Sequence, residues 1–595
     1  MGQHASSSVR RTVVRGFRAF TLVLALGAAA GAQSAPHEPC PRPVPGAVVV
    51  QPEDVRSRNG VLTIELAYRD EHATDGAVRY CYIAADGAQA PTLRAAPGDL
   101  VVLKLKNELE APVQSANMAM EATGIRAQQE CAGKGMTPLS TNLHFHGIDL
   151  APTCNVDDVL HTWVQPGDAP FEYRFRIPKD QPPGLYWYHP HVHGFTKVQV
   201  LGGASGALII EGIERANRKL AGLPERVIVL RDQDLLHPNA QLAVAKGEVI
   251  PPVVLDRDGD IMNTGTGTGK PAKDLSVNFV PVPYPDYPSA VIETRPAEKQ
   301  LWRVVNASAI TYLNLQILYK EIPQQMGVVA LDGEPLTDSG FNGNGVIWQN
   351  HLGLAPGARV EFILTSPPVG MAAKLVTRSV NTGPAGENDP TRTLASINSS
   401  TGAPELASRL ASDTAPLPRT NLPWLGSVAP VRTRHLYFTE VAQDPKDPNS
   451  PTVFMLTVEG QSPKPYDMSA TEPNIVVRQG DVEDWVIENR TQEVHAFHIH
   501  QLHFLVLDWF GVKADESFLR DIINVPFWDG QSTNYPSVRL RMDFRDPEIV
   551  GTFVYHCHLL EHEDGGMMGT IRVEAPAKNA VSGRATSTGT TPRSN

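Results

Sequence analysis

The sequence predicts an all-β protein built from three related domains, and three observations carry that prediction. At 595 residues the chain is too long for one ordinary core, because single domains most often hold about 100–150 residues. Its 48 glycines and 50 prolines supply turns at the density that many short strands require. The third observation is a pattern written three times, as LRAAPGDLVVLKLKN (Leu93 to Asn107), IETRPAEKQLWRVVN (Ile292 to Asn306) and IVVRQGDVEDWVIEN (Ile475 to Asn489). With Gly98, Ala297 and Gly480 aligned, an acid follows in each copy (Asp99, Glu298, Asp481) and an asparagine lies nine residues beyond (Asn107, Asn306, Asn489). Between them Leu103/Leu105, Trp302/Val304 and Trp485/Ile487 recur at every second position, the period of a half-buried strand after a turn. The copies stand 199 and 183 residues apart, which is domain spacing and not solenoid spacing.

Taken in order, residues 1–35 read as an export signal. Arg10, Arg11, Arg15 and Arg18 precede the apolar run AFTLVLALGAAAGA (Ala19 to Ala32), followed by small residues. That run is too short to span a bilayer comfortably. RRTVVR resembles a twin-arginine signal, and a general secretory signal is the other reading. The three domains are then 36–215, 216–376 and 431–575. Between the last two, residues 377–430 are rich in Pro, Ser, Thr, Asn and Gly and are expected to form a linker with little regular structure. The tail 576–595 lacks the apolar residues needed to pack. A further pairing joins only the outer domains: GLYWYHPH (Gly184 to His191) matches GTFVYHCH (Gly551 to His558), and each runs on to a short apolar strand.

Charge excludes some partners. The formal net charge is -12, and loss of the four signal arginines would take it to -16. A basic surface for nucleic acid or acidic lipid is not expected, and no later run is long and apolar enough for a transmembrane helix. The expected location is periplasmic or secreted. Four of five cysteines (Cys40, Cys81, Cys131, Cys154) lie toward the N-terminus, so one or two disulfides are expected there, with Cys131–Cys154 one option. Cys557 is left over.

The placement of histidine points to metal. Four His-x-His pairs occur: His144/His146, His189/His191, His498/His500 and His556/His558. Alternate side chains on a strand share a face, so each pair aims two imidazoles one way. Eight converging imidazoles suit copper or zinc. Between His556 and His558, Cys557 points to the opposite face and so serves a different centre, where His495, His562 and Met567 could join it. Two imidazoles, a thiolate and a weak axial thioether make a blue-copper site. Structural zinc would more often show C-x-x-C spacing, which is missing.

The motifs HFHG, YHPH, HAFHIH and HCHLLEHEDGGMM, in that order, resemble those of the multicopper oxidases, the laccase-like family. The resemblance runs from roughly residue 45 to 575 and implies three cupredoxin-like Greek-key β-sandwich domains. It implies four coppers per chain and no other cofactor. His495, Cys557 and His562 resemble the type 1 ligands, with Met567 axial by its spacing of five from His562, ahead of Met568. His144 and His498 resemble the type 2 ligands. His146, His189, His191, His500, His556 and His558 resemble those of the type 3 pair. His193, His503 and His161 are assigned to no copper.

The implied activity is that of a laccase: one-electron oxidation of phenols or aromatic amines, entering through His562 and Cys557, coupled to reduction of dioxygen to water. Asp157, with Asp158 as fallback, and Glu563 resemble family acids that serve oxygen reduction. Oxidation of cuprous or ferrous ions on the same scaffold is the alternative. Only NMAM (Met118, Met120) approaches a methionine cluster, while Glu561, Glu563 and Asp564 lie near a type 1 histidine in sequence. An electron carrier would need only the type 1 set, and a structural relative none of it. A copper nitrite reductase would lack the HCH arrangement.

Overall fold

Each copy of the repeated pattern folds as a strand, a turn and a second strand that crosses to the facing sheet. These pairs are Thr92–Ala95 and Leu100–Asn107, Ala290–Thr294 and Lys299–Asn306, and Ile475–Arg478 and Val482–Asn489. The computed structural model describes residues 38–576 except 74–75, 111–130, 132–134, 236–266, 337–344, 412–421 and 448–449. The export signal, the tail beyond 576, Met118 and Met120 lie outside the described residues. The turn needs a left-handed residue, and Gly98, Ala297 and Gly480 supply it at φ +90°, +55° and +104°. The middle copy therefore holds an alanine where the outer two use glycine, at a steric cost that glycine avoids.

The recurring asparagine closes the end of each second strand. Asn107 Nδ2 donates to the carbonyls of Leu139 and Val164, Asn306 to those of Thr311 and Ala355, and Asn489 to those of Glu493 and Val525. In each case Oδ1 accepts the N–H two residues on, from Leu109, Ser308 or Thr491. These buried groups would otherwise lack partners at the point where the chain leaves the sheet. Within the strands, Leu103, Trp302 and Trp485 occupy one aligned position and are fully buried. Each indole N–H finds an acceptor two residues back, at Gln300 or Glu483. Burying about 200 Å² of indole contributes about 5 kcal/mol.

Residues 54–210 form sheets of five and four strands, 225–399 sheets of eight and six, and 432–574 sheets of six and five. The topology repeats. The first strand of each pair runs parallel to Gly206–Ile210, Arg392–Ser399 or Met568–Glu574. The second runs parallel to Val61–His72, Glu225–Asp234 or Arg432–Ala442. The stretch 377–430 thus departs from the expectation of little regular structure, because Arg392–Ser399 is an interior strand of the middle unit. In RTLASINS only Leu394, Ala395 and Ile397 are apolar, and the surrounding polar composition hid a strand that the topology requires.

Two disulfides are present, Cys40–Cys81 and Cys131–Cys154, and Cys557 is free and buried. No helix among the described residues is long and apolar enough to cross a membrane. Two short helices, Thr196–Leu201 and Leu560–Asp564, carry a contact that matters below. Asp564 accepts the N–H groups of Thr196 and Lys197, and Glu561 pairs with Lys197. A carboxylate from the last unit thus satisfies the open N–H groups of a helix in the first.

Candidate metal centre

The four His-x-His pairs sit at matching ends of their sheets. His144 and His146 lie on a three-residue strand paired with Gly184–His189, in a register that sets His144 opposite His189. His498 stands opposite His556 on the neighbouring strands His495–Ile499 and Gly551–Cys557. All eight imidazoles are buried, and their nitrogens gather into three groups, the first two sharing His146. These are His144, His146 and His498; His146, His189 and His558; and His191, His500 and His556.

Several rings are oriented from outside the cluster. His144 Nδ1 lies 3.0 Å from Asp157 Oδ2, His189 Nδ1 2.9 Å from the Pro190 carbonyl, His498 Nδ1 2.7 Å from the Asp521 carbonyl and His556 Nδ1 3.0 Å from the Cys557 carbonyl. Nε2 of His144, His189 and His498 and both nitrogens of His146 and His558 are buried without a hydrogen-bond partner. Orphaned buried acceptors are costly unless something fills the site. Burial, reinforced by neighbouring imidazoles, pushes the pKa of all eight down, to about 3 for His189 and about 4 for His556. They are neutral, the state in which imidazole binds metal. Donor type, burial and open nitrogens all fit copper.

On the other face of the same strand, Cys557 meets a second group. Its Sγ lies 3.4 Å from His495 Nδ1 and 3.8 Å from His562 Nδ1, and those two nitrogens are 3.2 Å apart. Met567 is fully buried beside them, its N–H donating to the His562 carbonyl and its carbonyl accepting from the Cys557 N–H. Burial pushes the Cys557 thiol up to about 12. The outer nitrogens face acids: His495 Nε2 is 2.8 Å from Thr491 Oγ1 and 3.0 Å from Glu440 Oε1, and His562 Nε2 is 3.1 Å from Glu493 Oε1. Burial alone would raise the Glu440 carboxyl, but the His495 imidazole beside it brings it down to about 2.

The sequence-derived acids separate in space. Asp157 meets His144 and also accepts from the Phe145 N–H and the Gln501 amide, whereas Asp158 pairs with exposed His161. Glu563 accepts from Thr196 Oγ1 at 3.0 Å, and its buried Oε2 is without a hydrogen-bond partner, 3.4 Å from His556 Nδ1. Glu561 and Asp564 are engaged with the helix of the first unit. His193 packs edge-on to Tyr466, and His503 lies 3.2 Å from Asp149. Sequence reasoning missed Glu440, Glu493, Asp521 and Arg359, the last of which pairs with Asp521. Glu493 stands two residues before His495, a spacing that could have marked it. The other three carry no spacing signal.

Comparison with known proteins gives the same picture. Residues 135–215 and 445–577 each match a family model described as multicopper oxidase, and these segments hold all eight paired histidines and the Cys557 group. The chain is 24% identical over 490 residues to the multicopper oxidase mco of Staphylococcus aureus, covering 81% of each. It is 23% identical to a laccase of Bacillus subtilis over 68% of this chain and 73% of that one. In fold it is similar to a Campylobacter jejuni multicopper oxidase described as a metallo-oxidase, with TM-score 0.62, 24% identity and coverage of 90% and 96%. The sheets are those of cupredoxin domains, the two histidine-bearing segments match multicopper oxidase models, and the buried histidine and cysteine clusters fit the copper sites of that family.

Proposed function

We propose that this oxidase takes electrons singly at the Cys557 group and reduces dioxygen to water at the eight-histidine group. The observation that carries the reading is the strand Gly551–Cys557, which presents Cys557 to one group and His556 to the other. His495, Cys557 and His562, with buried Met567 beside them, would hold the type 1 copper. His144 and His498 would hold the type 2 copper, and His146, His189 and His558 with His191, His500 and His556 the type 3 pair. When bound, copper supplies the one-electron redox steps, and four ions together match the four electrons that dioxygen needs. The Cys557 sulfur is joined to its neighbouring imidazoles through adjoining peptide units, a short covalent route. Asp157 and Glu563 hold protons next to His144 and His556. Two disulfides suit an oxidising compartment, which we read as export.

The donor class follows from what surrounds the type 1 imidazoles. His495 is fully buried and His562 is 4% exposed. Their outer nitrogens lie against Glu440 and Glu493, and Glu440 is the most exposed of the four. A donor therefore meets a carboxylate before an imidazole edge. This favours a cationic reductant, a ferrous or cuprous ion, over a neutral phenol. Steady-state rates with ferrous iron, cuprous copper and a phenol on one preparation test it. Glu440→Gln and Glu493→Gln are each expected to lower kcat/KM for the metal ions about tenfold, about 1.4 kcal/mol of transition-state stabilisation, and to leave the phenol rate within about twofold. Equal loss for all donors would remove the carboxylates from donor recognition.

A further inference from the structure

The middle unit carries none of the paired histidines, yet one of its side chains reaches the cluster. Arg359, on the strand Arg359–Thr365, is fully buried. Its guanidinium grips Asp521 of the last unit through two bonds, Nη1 to Oδ1 at 2.7 Å and Nη2 to Oδ2 at 2.6 Å. Its Nε donates to the Leu185 carbonyl at 3.2 Å, on the strand that ends at His189. Gly147, directly after His146, packs so closely that a Cβ there would collide with Arg359 and Asp521. Gly357, two residues before Arg359, would with a Cβ come within 2.9 Å of the His558 ring. The guanidinium thus touches the surroundings of three histidine motifs, and Gly357, two residues away, reaches the fourth.

Asp521 makes two contacts to the cluster itself. Its backbone carbonyl accepts from His498 Nδ1 at 2.7 Å, and its carboxylate Oδ1 lies 3.4 Å from His146 Nε2. A histidine that bonds outward through one nitrogen has its tautomer and ring angle fixed, and the other nitrogen is left for metal. Asp521 does so for His498 through its main chain, and its carboxylate stands against His146 Nε2 without a hydrogen bond, close enough to favour the proton on that nitrogen. Arginine is the side chain able to hold a carboxylate in a single plane by a two-pronged contact.

We infer that Asp521, held by Arg359, is a positioning residue that sets the tautomers of His498 and His146, so that Nε2 of the first and Nδ1 of the second face the copper cluster. The inference rests on the copper assignments proposed above. The competing account is that Arg359–Asp521 is only a staple between units. The two differ in what happens when both charges are removed. A buried ion pair replaced by apolar residues of similar volume is often neutral or stabilising, so a staple can be replaced while a tautomer-setting carboxylate cannot.

The test uses copper-loaded full-length protein, wild type beside Asp521→Asn, Arg359→Lys and the double variant Asp521→Leu/Arg359→Met. The readouts are copper per chain, the type 2 electron paramagnetic resonance signal, the type 1 visible absorption and thermal stability. Asp521→Asn is expected to weaken cluster copper binding by about 10- to 100-fold and to shift the type 2 signal, with type 1 absorption retained. Arg359→Lys keeps the charge but not the fork, and is expected to shift the type 2 signal with most of the stability kept. The double variant is expected to recover stability and not the wild-type type 2 signal. An unchanged signal in Arg359→Lys and Asp521→Asn, or its full return in the double variant, would overturn the inference alone. Wild-type protein without any type 2 signal would overturn the copper assignments, and the inference with them.

Discussion

The Cys557→Ser protein is expected to lose the intense visible absorption of a thiolate–copper bond and, with it, turnover of every donor, while its fold and cluster histidines remain. Serine is nearly isosteric, and the site is already closed around a fully buried side chain. In the metal-free chain burial holds the thiol up to about 12, so it is protonated and unreactive at neutral pH; a bound metal draws that proton away. Loading this site therefore releases a proton, and copper affinity of the metal-free protein should rise as pH rises. A hydroxyl gives up its proton far less readily, which is why serine cannot take over. Absorption spectra and oxygen uptake of the two proteins check the expectation. A variant that kept both colour and turnover would place the type 1 centre elsewhere in the chain.

The second large effect is expected from Glu563→Gln combined with Asp157→Asn, which removes the carboxyls beside His556 and His144. Burial raises both pKa values, helped for Glu563 by the neighbouring Asp564 and offset for Asp157 by the Phe145 N–H and the Gln501 amide. The positive charge of bound copper works in the opposite direction. A raised carboxyl keeps its proton to higher pH, so the rate it supports is complete on the acid side and falls as pH rises through the raised value. General acid groups typically contribute about 10²–10⁴-fold. The double variant should therefore reoxidise in oxygen at least about 10²-fold more slowly, without that falling limb, while reduction of the type 1 centre by the donor is unaffected. Stopped-flow reduction and reoxidation, followed separately across pH, check this. Wild-type reoxidation rates in the variant would show that protons arrive by another route.

Much of the molecule was legible because it is repeated. Gly98, Ala297 and Gly480 mark three turns, and the asparagines nine residues on mark three strand ends, so one pattern read three times predicted three two-sheet units. The alternation HCH gave the two faces of one strand directly, since a period of two leaves no other placement for Cys557. The strand Arg392–Ser399 escaped because strand identity there comes from its parallel partner Ala290–Thr294 and not from its own composition. Glu440 reaches His495, and Arg359 reaches Asp521, only through the packing of distant strands. No local spacing encodes such contacts. Nearness in sequence to His562 does not put an acid at its ring: Glu561 and Asp564 turn toward the helix Thr196–Leu201, and the carboxylates at His495 and His562 come from Glu440 and Glu493.

The two sides of the strand Gly551–Cys557 can be tested together by counting copper against protein in the purified, copper-loaded wild type. The account predicts four coppers per chain, one of them giving the thiolate absorption and one a type 2 resonance signal. A single copper with the colour intact would make the chain an electron carrier with an empty histidine cluster, and that result would contradict the account.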